Sequence, residues 1–250
     1  MMRMPPAGRR RYIAAAVIVL AILCIAVFVM FPTRGPGDAL ASHLEAAGPV
    51  LPAPSWVGTL SLEETLSQRR SVREYAKDPL SLKDVSQLLW AAQGVTGMTG
   101  LRTAPSAGAL YPLEVLLVAG DVDGLIPGVY HYVPGAHEVR MIRQGDMRNE
   151  IAIAGLNQSA LREAPATIVI AGVFSRTTSK YGERGIQYVW MEAGHASQNI
   201  YLQAEALGLG TVAIGAFSDD QVRQILLLDT FEEPLYLMPV GHPAPMARIR

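Results

Sequence analysis

The stretch GIQYVWMEAGHASQNIYLQAEAL, residues 185–207, carries the longest helical pattern of the chain. Apolar or small side chains recur along it at helical spacing, from Ile186 to Leu207. Small residues fill its middle, where they permit close approach of another helix or of a flat ligand. The pattern is interrupted by His195, Gln198 and Asn199. Polar side chains in an apolar helix need hydrogen-bond partners, so this part of the helix is predicted to face an interface or a ligand. For a single histidine, an ordinary structural role is the competing interpretation.

Helices and strands alternate irregularly along the rest of the chain. Ser61 and Ser81 each begin a capping motif, which predicts helices running to about Arg69 and to Gly94. Further helices are expected over residues 146–156 and 218–228. Apolar or alternating runs predict strands over residues 115–119, 128–133, 138–142, 167–174, 211–216 and 235–240. Because strict βαβ alternation is missing, we expect an α+β domain with a mixed or antiparallel central sheet flanked by helices.

The first 37 residues differ from the rest, since they hold five arginines and no acidic residue. Residues 12–31 are an unbroken run of 20 apolar or weakly polar residues, which at ~1.5 Å per residue matches a bilayer core of ~30 Å. We expect an uncleaved transmembrane anchor rather than a cleaved signal peptide, with the N-terminus in the cytoplasm. The expected organisation is a basic cytoplasmic tail (1–11), the anchor (12–31), a linker with one short helix near 39–47 (32–58) and an extracytoplasmic globular domain (59–250).

Charge and cysteine content exclude several classes of protein. Without the first 37 residues, the chain has 16 basic and 22 acidic side chains. An acidic domain without a basic stripe argues against nucleic-acid binding. The only cysteine, Cys24, lies in the apolar run, so intrachain disulfides and a cysteine nucleophile in the globular part are excluded. His131 and His137 flank a predicted hairpin turn without a third ligand nearby, and no metal site is predicted.

Two arginines and a serine follow the first predicted helix. Arg69 and Arg73 are four residues apart, so they share a face in a helix and also in a strand, and Ser71 lies between them. Converging guanidiniums and a hydroxyl suit a phosphate, which the fork of arginine binds better than lysine does. The competing interpretation is a solvated basic helix end.

A loop of small residues precedes the first long strand. In TAPSAGALYP, residues 103–112, prolines bracket residues small enough for backbone N–H groups to contact a ligand, and Ser106 adds a hydroxyl. An ordinary loop could have the same composition. Taken alone, GLGTVAIGAF (208–217) indicates only a helix stop before a strand. The arginines that follow GHP (241–243), Arg248 and Arg250, are typical of a solvent-exposed tail.

Taken together, the segments RRSVR, PSAGALYP, KYGER, EAGHASQN, GLGTVAIGAF and GHP resemble, in order and spacing, the nitroreductase superfamily over about residues 60–250. Within it they are most similar to the SagB/ThcOx-type dehydrogenases. The resemblance implies a nitroreductase-like fold with FMN bound noncovalently at a homodimer interface. It assigns the FMN phosphate and ribityl end to Arg69, Ser71 and Arg73. It assigns the other contacts to Pro105, Ser106 and Gly108 along the flavin, Ile214 and Gly215 at its reactive edge, His195 and Gln198 at the flavin or the dimer seam, and Arg248 or Arg250 at the phosphate.

The resemblance also implies catalytic residues. In azoline-oxidising relatives a Lys-Tyr pair acts in deprotonating the substrate ring, and Lys180 and Tyr181 match it. A lysine base needs burial or a nearby cation, which Arg184 could supply. The implied reaction is hydride transfer between FMN and either an azoline in a modified peptide or a nitro or quinone acceptor, the latter with NAD(P)H as reductant. A membrane-anchored flavin protein without turnover is the alternative.

Overall fold

The computed structural model describes residues 46–245. Its helices are α1 (Leu62–Gln68), α2 (Leu82–Gln93), α3 (Arg148–Ala154), α4 (Ser159–Glu163), α5 (Phe174–Tyr181), α6 (Arg184–Ala206) and α7 (Asp219–Leu226). Its strands are β1 (Ala46–Val50), β2 (Leu80–Ser81), β3 (Leu113–Ala119), β4 (Val122–Asp123), β5 (Gly128–Val133), β6 (Glu138–Gln144), β7 (Ala166–Gly172), β8 (Gly210–Thr211) and β9 (Glu233–Gly241). A short 3-10 helix covers Ala107–Ala109.

One antiparallel sheet organises the domain. Its strand order is β1-β6-β5-β3-β7-β9-β8, and every neighbouring pair runs antiparallel. The separate pair of β2 and β4 is parallel. The predicted α+β class with helices flanking the sheet is therefore confirmed, and β5 and β6 form the predicted hairpin. β1 lies within residues 32–58, where the sequence favoured a linker, and it adds an edge strand beside β6.

Helices pack on the sheet so that its central strands are buried along almost their whole length. α2 and α6 pack together on one face, where Leu88 and Ala193 join Val115 and Leu117 in the main core. Leu116 and Val118 of β3, which alternate with Val115 and Leu117, point to the opposite face and are equally buried. α3 packs against α4 and α7, and α4 and α7 each contact β9.

The helix starts predicted from capping motifs are correct. Ser61 Oγ accepts a hydrogen bond from Glu64 N–H at 3.1 Å, and the Glu64 carboxylate accepts one from Ser61 N–H at 2.7 Å. Ser81 Oγ accepts from Asp84 N–H in the same way, and α2 ends before Gly94.

Two strand predictions differ. The strand expected to reach residue 174 ends at residue 172, because the apolar run continues into the core-facing start of α5. The strand expected over residues 211–216 is reduced to β8, after which Ile214 pairs with Leu237 only in an isolated bridge.

Glycine lets α5 lie against the start of α6. A Cβ added at Gly185 would come within 2.9 Å of the backbone of Thr177 and Thr178. Real Cβ atoms do not approach backbone so closely, so a larger residue at position 185 would push the two helices apart. Gly185 thereby lets α5, which carries Lys180 and Tyr181 at its end, lie close to α6.

The sequence predicted a single-pass, membrane-anchored localisation, and the structure contradicts this prediction. Within residues 46–245, no helix is both long enough and apolar enough to cross a bilayer. α6 has the length, but its polar side chains, Glu192 among them, make it less apolar than a spanning segment. The predicted tail, residues 1–11, and the predicted anchor, residues 12–31, lie outside the described part of the chain, as does most of the helix expected near residues 39–47.

Candidate active site

The segment after α1 is extended and runs beside the end of the sheet. Val72 N–H donates to Thr211 O at 2.9 Å, and Ser71 pairs with Thr211 in a parallel bridge. Val72 is buried and points into the protein. Strand alternation therefore places Arg69, Ser71 and Arg73 together on the opposite side of the segment.

Gly210 gives the GLG segment a packing role. A Cβ added at Gly210 would lie 2.6 Å from the Cβ of Val72, well inside van der Waals contact. Because position 210 has no side chain, the extended segment can lie directly against β8. The glycine thus holds the arginine-bearing segment close to the sheet edge.

Tyr201 of α6 joins this segment to the chain that follows β8. Its hydroxyl lies 3.0 Å from Ser71 Oγ and accepts a hydrogen bond from Ala213 N–H at 2.8 Å. The Arg69 guanidinium lies 5.0 Å from the centroid of its ring, a cation–π contact. Sequence reasoning missed Tyr201, whose only sign was its place beside Ile200 in the long helix. We call Arg69, Ser71, Arg73, Tyr201 and the backbone of residues 213–215 the arginine group.

Residues 214 and 215 lie at the edge of the arginine group. Ile214 is buried, and it exchanges two backbone hydrogen bonds of 2.9 Å with Leu237. The Ile214 N–H already donates to the sheet and cannot also donate to a ligand. Of the two residues predicted to contact a ligand through their backbone, only Gly215 remains. Gly215 is exposed, and the nearest atom to a Cβ added there would be Tyr236 Cε1 at 4.0 Å.

A second group forms where the small-residue loop meets the end of α5. Gly108 has a φ of +64°, and a Cβ added there would lie 2.7 Å from Tyr181 Oη and 2.9 Å from Lys180 Nζ. Glycine therefore permits both the backbone conformation and the close approach of the loop to the Lys-Tyr pair. Lys180 is exposed and Tyr181 is half-buried. We call residues 105–111, Lys180 and Tyr181 the loop group.

Aromatic contacts fix the ring of Tyr181. The ring centroids of Tyr181 and Tyr188 are 5.2 Å apart in a T-shaped arrangement. Of this aromatic pair, the Tyr181 ring is contacted by Lys180, whose Nζ lies 5.4 Å from the ring centroid. Arg184, the cation expected to act on Lys180, lies over the other ring, with its guanidinium 5.5 Å from the Tyr188 centroid.

Side chains from other elements hold the loop in a strained conformation. Ala109 and Tyr111 have φ values of 54° and 47°, which are unfavourable for residues other than glycine. Ser106 Oγ accepts a hydrogen bond from Tyr111 N–H at 2.9 Å. Arg176 Nη1 donates to Tyr111 O at 3.1 Å, and the Arg102 guanidinium lies 4.4 Å from the Tyr111 ring centroid. The loop geometry is thus imposed by α5 and by the segment before the loop.

Arg176 is held in turn by an ion pair with Glu114 of β3. His131 Nε2 lies 2.8 Å from the other carboxylate oxygen of Glu114. Burial raises the pKa of Glu114, but the hydrogen bonds and positive charges of His131 and Arg176 outweigh it, so the pKa lies below its ordinary value. The ionised Glu114 therefore anchors Arg176 to the sheet. Among residues 46–245, no cluster of His, Cys, Asp or Glu side chains could hold a metal ion.

α6 connects the two groups. Glu192 lies beside Ser106 of the loop group, whereas Tyr201 belongs to the arginine group. The two residues are nine positions apart, or about 14 Å along a helix axis at ~1.5 Å per residue. Between residues 46 and 245, no hydrogen bond joins the arginine group directly to the loop group. The structure therefore gathers the predicted cofactor residues into two sets rather than one.

Four of the predicted cofactor residues fall outside these two sets. His195 and Gln198 are exposed on α6, between Glu192 and Tyr201. Arg248 and its alternative Arg250 lie beyond the described residues, so the structure does not place either of them.

Residues 66–242 match the nitroreductase family. The chain is 49% identical over 182 residues to nitroreductase MJ1384 of Methanocaldococcus jannaschii, a match that covers 73% of this chain and 91% of that one. It is 28% identical over 159 residues to the microcin B17-processing protein McbC of Escherichia coli, covering 61% of this chain and 58% of that one.

A solved structure shares the fold. The crystal structure of a nitroreductase from Anabaena variabilis ATCC 29413 matches with a TM-score of 0.69 and 33% identity, over 80% of this chain and 41% of that one. This chain therefore spans less than half of the Anabaena protein. The family match covers most of residues 46–245, and the Methanocaldococcus protein is matched over nearly all of its length. On these grounds the chain belongs to the nitroreductase family and is an oxidoreductase of that family.

Proposed function

We propose that the chain binds FMN between two copies of itself and transfers hydride between FMN and an organic substrate. The observation that carries the proposal is the division of the predicted cofactor residues into the arginine group and the loop group, at separate places along α6. A second copy packed on α6 would bring the loop group of one chain to the arginine group of the other. FMN supplies the hydride chemistry, while the protein binds and orients the reactants and excludes water.

The arginine group suits the phosphate of FMN. Arg69 and Arg73 lie on one side of an extended segment, with the hydroxyls of Ser71 and Tyr201 beside them. A phosphate monoester carries about two negative charges at neutral pH, and guanidiniums bind it through charge-assisted hydrogen bonds. The Tyr201 oxygen already accepts the N–H of Ala213, so its own proton can be given to Ser71 or to the ligand.

The loop group and the edge of the arginine group suit a flat ring. Gly108 presents backbone at a point that a side chain could not occupy beside Lys180 and Tyr181. Gly215, in the arginine group, is an open and exposed backbone position. In both groups, a planar ring system could therefore approach the backbone closely, because a glycine carries no side chain there.

The exposed side of α6 suits contact with a second copy. Ile186, Trp190 and Met191 are apolar, yet they are 42%, 50% and 51% exposed. Met191 lies on the same side of the helix as the exposed His195 and Gln198, and Ile186 and Trp190 lie further round its exposed half. Exposed apolar side chains clustered in this way mark interaction surfaces, and a symmetric dimer uses one such surface twice. A dimer through α6 would place His195 and Gln198 at its seam.

Titration with FMN, followed by quenching of flavin fluorescence, tests the proposal. The full chain should bind FMN, and replacing Arg69 and Arg73 together with Gln should weaken binding by about 10²-fold or more. Each lost charge-assisted hydrogen bond is worth about 1.5–3 kcal/mol, and every 1.4 kcal/mol is tenfold in affinity. The matched control is Arg70→Gln, because the Arg70 guanidinium donates to Ser67 O and Arg69 O. A chain that cannot be loaded with FMN, or an equal loss in the control, contradicts the proposal.

For the reaction, we propose dehydrogenation of an azoline ring in a modified peptide. Support comes from the Lys180-Tyr181 pair beside Gly108 and from the relative McbC, which is named for processing microcin B17. Lys180 Nζ would take a proton from one ring carbon as hydride leaves the neighbouring carbon for the flavin, and the ring would gain one double bond. Lys180 is exposed in the single chain, so the burial that a lysine base needs would come from the second copy and the bound ligands.

Reduction of a nitro or quinone acceptor by NAD(P)H is the second candidate reaction. The Methanocaldococcus and Anabaena relatives, which are both named nitroreductases, favour it. Assays with an azoline peptide and with NADH plus a nitroaromatic acceptor distinguish the two reactions. A chain that binds FMN and turns over neither substrate would be a flavin-binding protein without turnover.

A further inference from the structure

Arg176, in the first turn of α5, contacts two different parts of the molecule at once. Its Nη1 donates to Tyr111 O at 3.1 Å, at the end of the loop group, and its Nη2 pairs with Glu114 of β3. Among residues 46–245, it is the one side chain of α5 that hydrogen-bonds to the loop. A guanidinium can do this because its nitrogens point in fixed, separate directions. α5, the loop and the sheet therefore meet at a single side chain.

The end of the loop is also docked on the start of α5 through its backbone. Val173 N–H, immediately before α5, donates to Pro112 O at 2.8 Å. Two successive carbonyls, those of Tyr111 and Pro112, are thus bound by the same end of α5. The Tyr111 N–H is bound in turn by Ser106 Oγ. Because Tyr111 has a φ of 47°, these contacts are what keeps it in an unfavourable backbone conformation.

Glu114 is a firm anchor for the guanidinium. Its side chain is 12% exposed, and it belongs to β3, which has a neighbouring strand on each side. The carboxylate oxygen that does not face Arg176 lies 2.8 Å from His131 Nε2 on the adjacent strand β5. With both oxygens engaged, the carboxylate has little freedom to rotate. Arg176 is therefore held against the sheet rather than against another loop.

Lys180 lies one helical turn beyond Arg176. Residues four apart in a helix are neighbours on its surface, so both side chains leave α5 on the same side. A Cβ added at Gly108 would lie 2.9 Å from Lys180 Nζ. The loop thus contacts α5 twice, through Tyr111 near its start and through Gly108 at its end. A shift of the loop on α5 would change the distance between Lys180 and any ligand that the loop contacts.

We propose that Arg176 is a positioning residue, which by joining Glu114 to Tyr111 fixes the loop on α5 so that the substrate ring stays within reach of Lys180 Nζ. The inference rests on the proposed function in one respect, namely that Lys180 is the base of that reaction. Arg176 acts through the loop and takes no proton itself. A lysine at position 176 cannot replace it, because one nitrogen cannot take the places of two guanidinium nitrogens.

Hydrogen exchange of the loop, measured by mass spectrometry on the full chain before FMN is added, tests the docking directly. Arg176→Lys keeps a cation beside Glu114 but loses the bond to Tyr111 O. The amides of residues 106–111 should therefore exchange about 10- to 100-fold faster, the worth of one hydrogen bond from a charged group. Glu114→Gln removes the anchoring charge at constant size. It should speed exchange of the same residues, and it supplies the test if Arg176→Lys does not fold.

Arg148 offers a matched control. It also joins a carboxylate to a carbonyl, those of Asp146 and Ala164, and its side chain is 25% exposed, as is that of Arg176. It lies at the start of α3, outside both groups. Arg148→Lys should leave exchange of the loop unchanged.

Turnover of an azoline peptide with FMN tests the consequence for Lys180. Arg176→Lys should lower kcat by about 10²-fold, the effect of misplacing a reacting group by about 1 Å, while KM stays near the parent value. Lys180→Met should then lower kcat much less in Arg176→Lys than in the parent, since both changes disable the same base. If Arg176 had only a structural role, the two losses would be independent and would multiply.

The outcomes separate this inference from the proposed function. If the parent does not bind FMN or does not oxidise azolines, the proposed function fails, and exchange of the loop still decides whether Arg176 docks it. Unchanged loop exchange in both Arg176→Lys and Glu114→Gln overturns the role of Arg176. Equal acceleration in Arg148→Lys also overturns it, because a general loss of stability would then explain the result. Losses of kcat that multiply show that Arg176 does not act through Lys180.

Discussion

The arginine group and the loop group are held in place by different means. The arginine group rests on backbone hydrogen bonds, such as the one from Val72 N–H to Thr211 O, and on the α6 side chain Tyr201. The loop group contains strained residues, and charged side chains of α5 and of the preceding segment hold it. The first group is therefore fixed by the sheet itself. The second depends on individual side chains such as Arg176 and Arg102, so we expect it to be more sensitive to single substitutions.

The largest effect is expected from Lys180→Met in the loop group. FMN should stay bound, because the phosphate is assigned to the arginine group, while azoline oxidation falls by about 10²–10⁴-fold, the usual worth of a positioned base. Turnover is measured with an azoline peptide and, separately, with NADH and a nitro acceptor. Lys77→Met, at an exposed lysine outside both groups, is the control. Azoline oxidation at the parent rate would remove Lys180 from the mechanism.

A mixing experiment tests whether the two groups of one site come from different chains. Arg69→Gln/Arg73→Gln disables the arginine group, and Gly108→Val disables the loop group by filling the space beside Lys180 and Tyr181. Each variant alone should bind little FMN. Random reassociation after denaturation should restore binding to about a quarter of the sites, because half of the dimers are mixed and each has one intact site.

The same experiment has a clear opposite outcome. If each chain binds FMN with its own two groups, every chain in the mixture stays defective and no binding returns. Reassociated parent chains, treated identically, show how much FMN binding survives denaturation. Sedimentation of each variant at micromolar concentration confirms that the dimer itself persists.

A smaller effect is expected from Gly210→Ala in the arginine group. The added Cβ would lie 2.6 Å from Val72 Cβ, so the segment must shift, which we expect to lower the free energy of unfolding by about 1–3 kcal/mol. Denaturant titration measures this change. Gly135→Ala is the matched control, since a Cβ there meets nothing within 4 Å, and its effect should stay within about 0.5 kcal/mol. Equal losses in both variants would show that contact with Val72 is not the cause.

Local patterns predicted the parts of the site that depend on neighbours in the chain. The capping motifs at Ser61 and Ser81 and the long helix were correct, because each depends on residues a few positions apart. The common side of Arg69, Ser71 and Arg73 follows from strand alternation in the same way.

The remaining features depend on contacts that no local pattern contains. Ser71 meets Tyr201 from 130 residues away, and Arg176 reaches Tyr111 across 65 residues. Glu192 could be read from the sequence only as one residue of the long helix, whereas its burial is set by how α6 packs in three dimensions. The separation of the site into two groups likewise depends on where α6 runs in three dimensions.

The segment that carries the arginines also covers an exposed strand edge. Residues 71–76 hydrogen-bond to Thr211 and His242, so they cap the β8 and β9 end of the sheet. Uncovered strand edges template association with other chains. The backbone hydrogen bonds that fix the arginine group therefore also keep this edge from pairing with another chain. A substitution that displaces the segment would accordingly favour aggregation of the protein as well as weaken the arginine group.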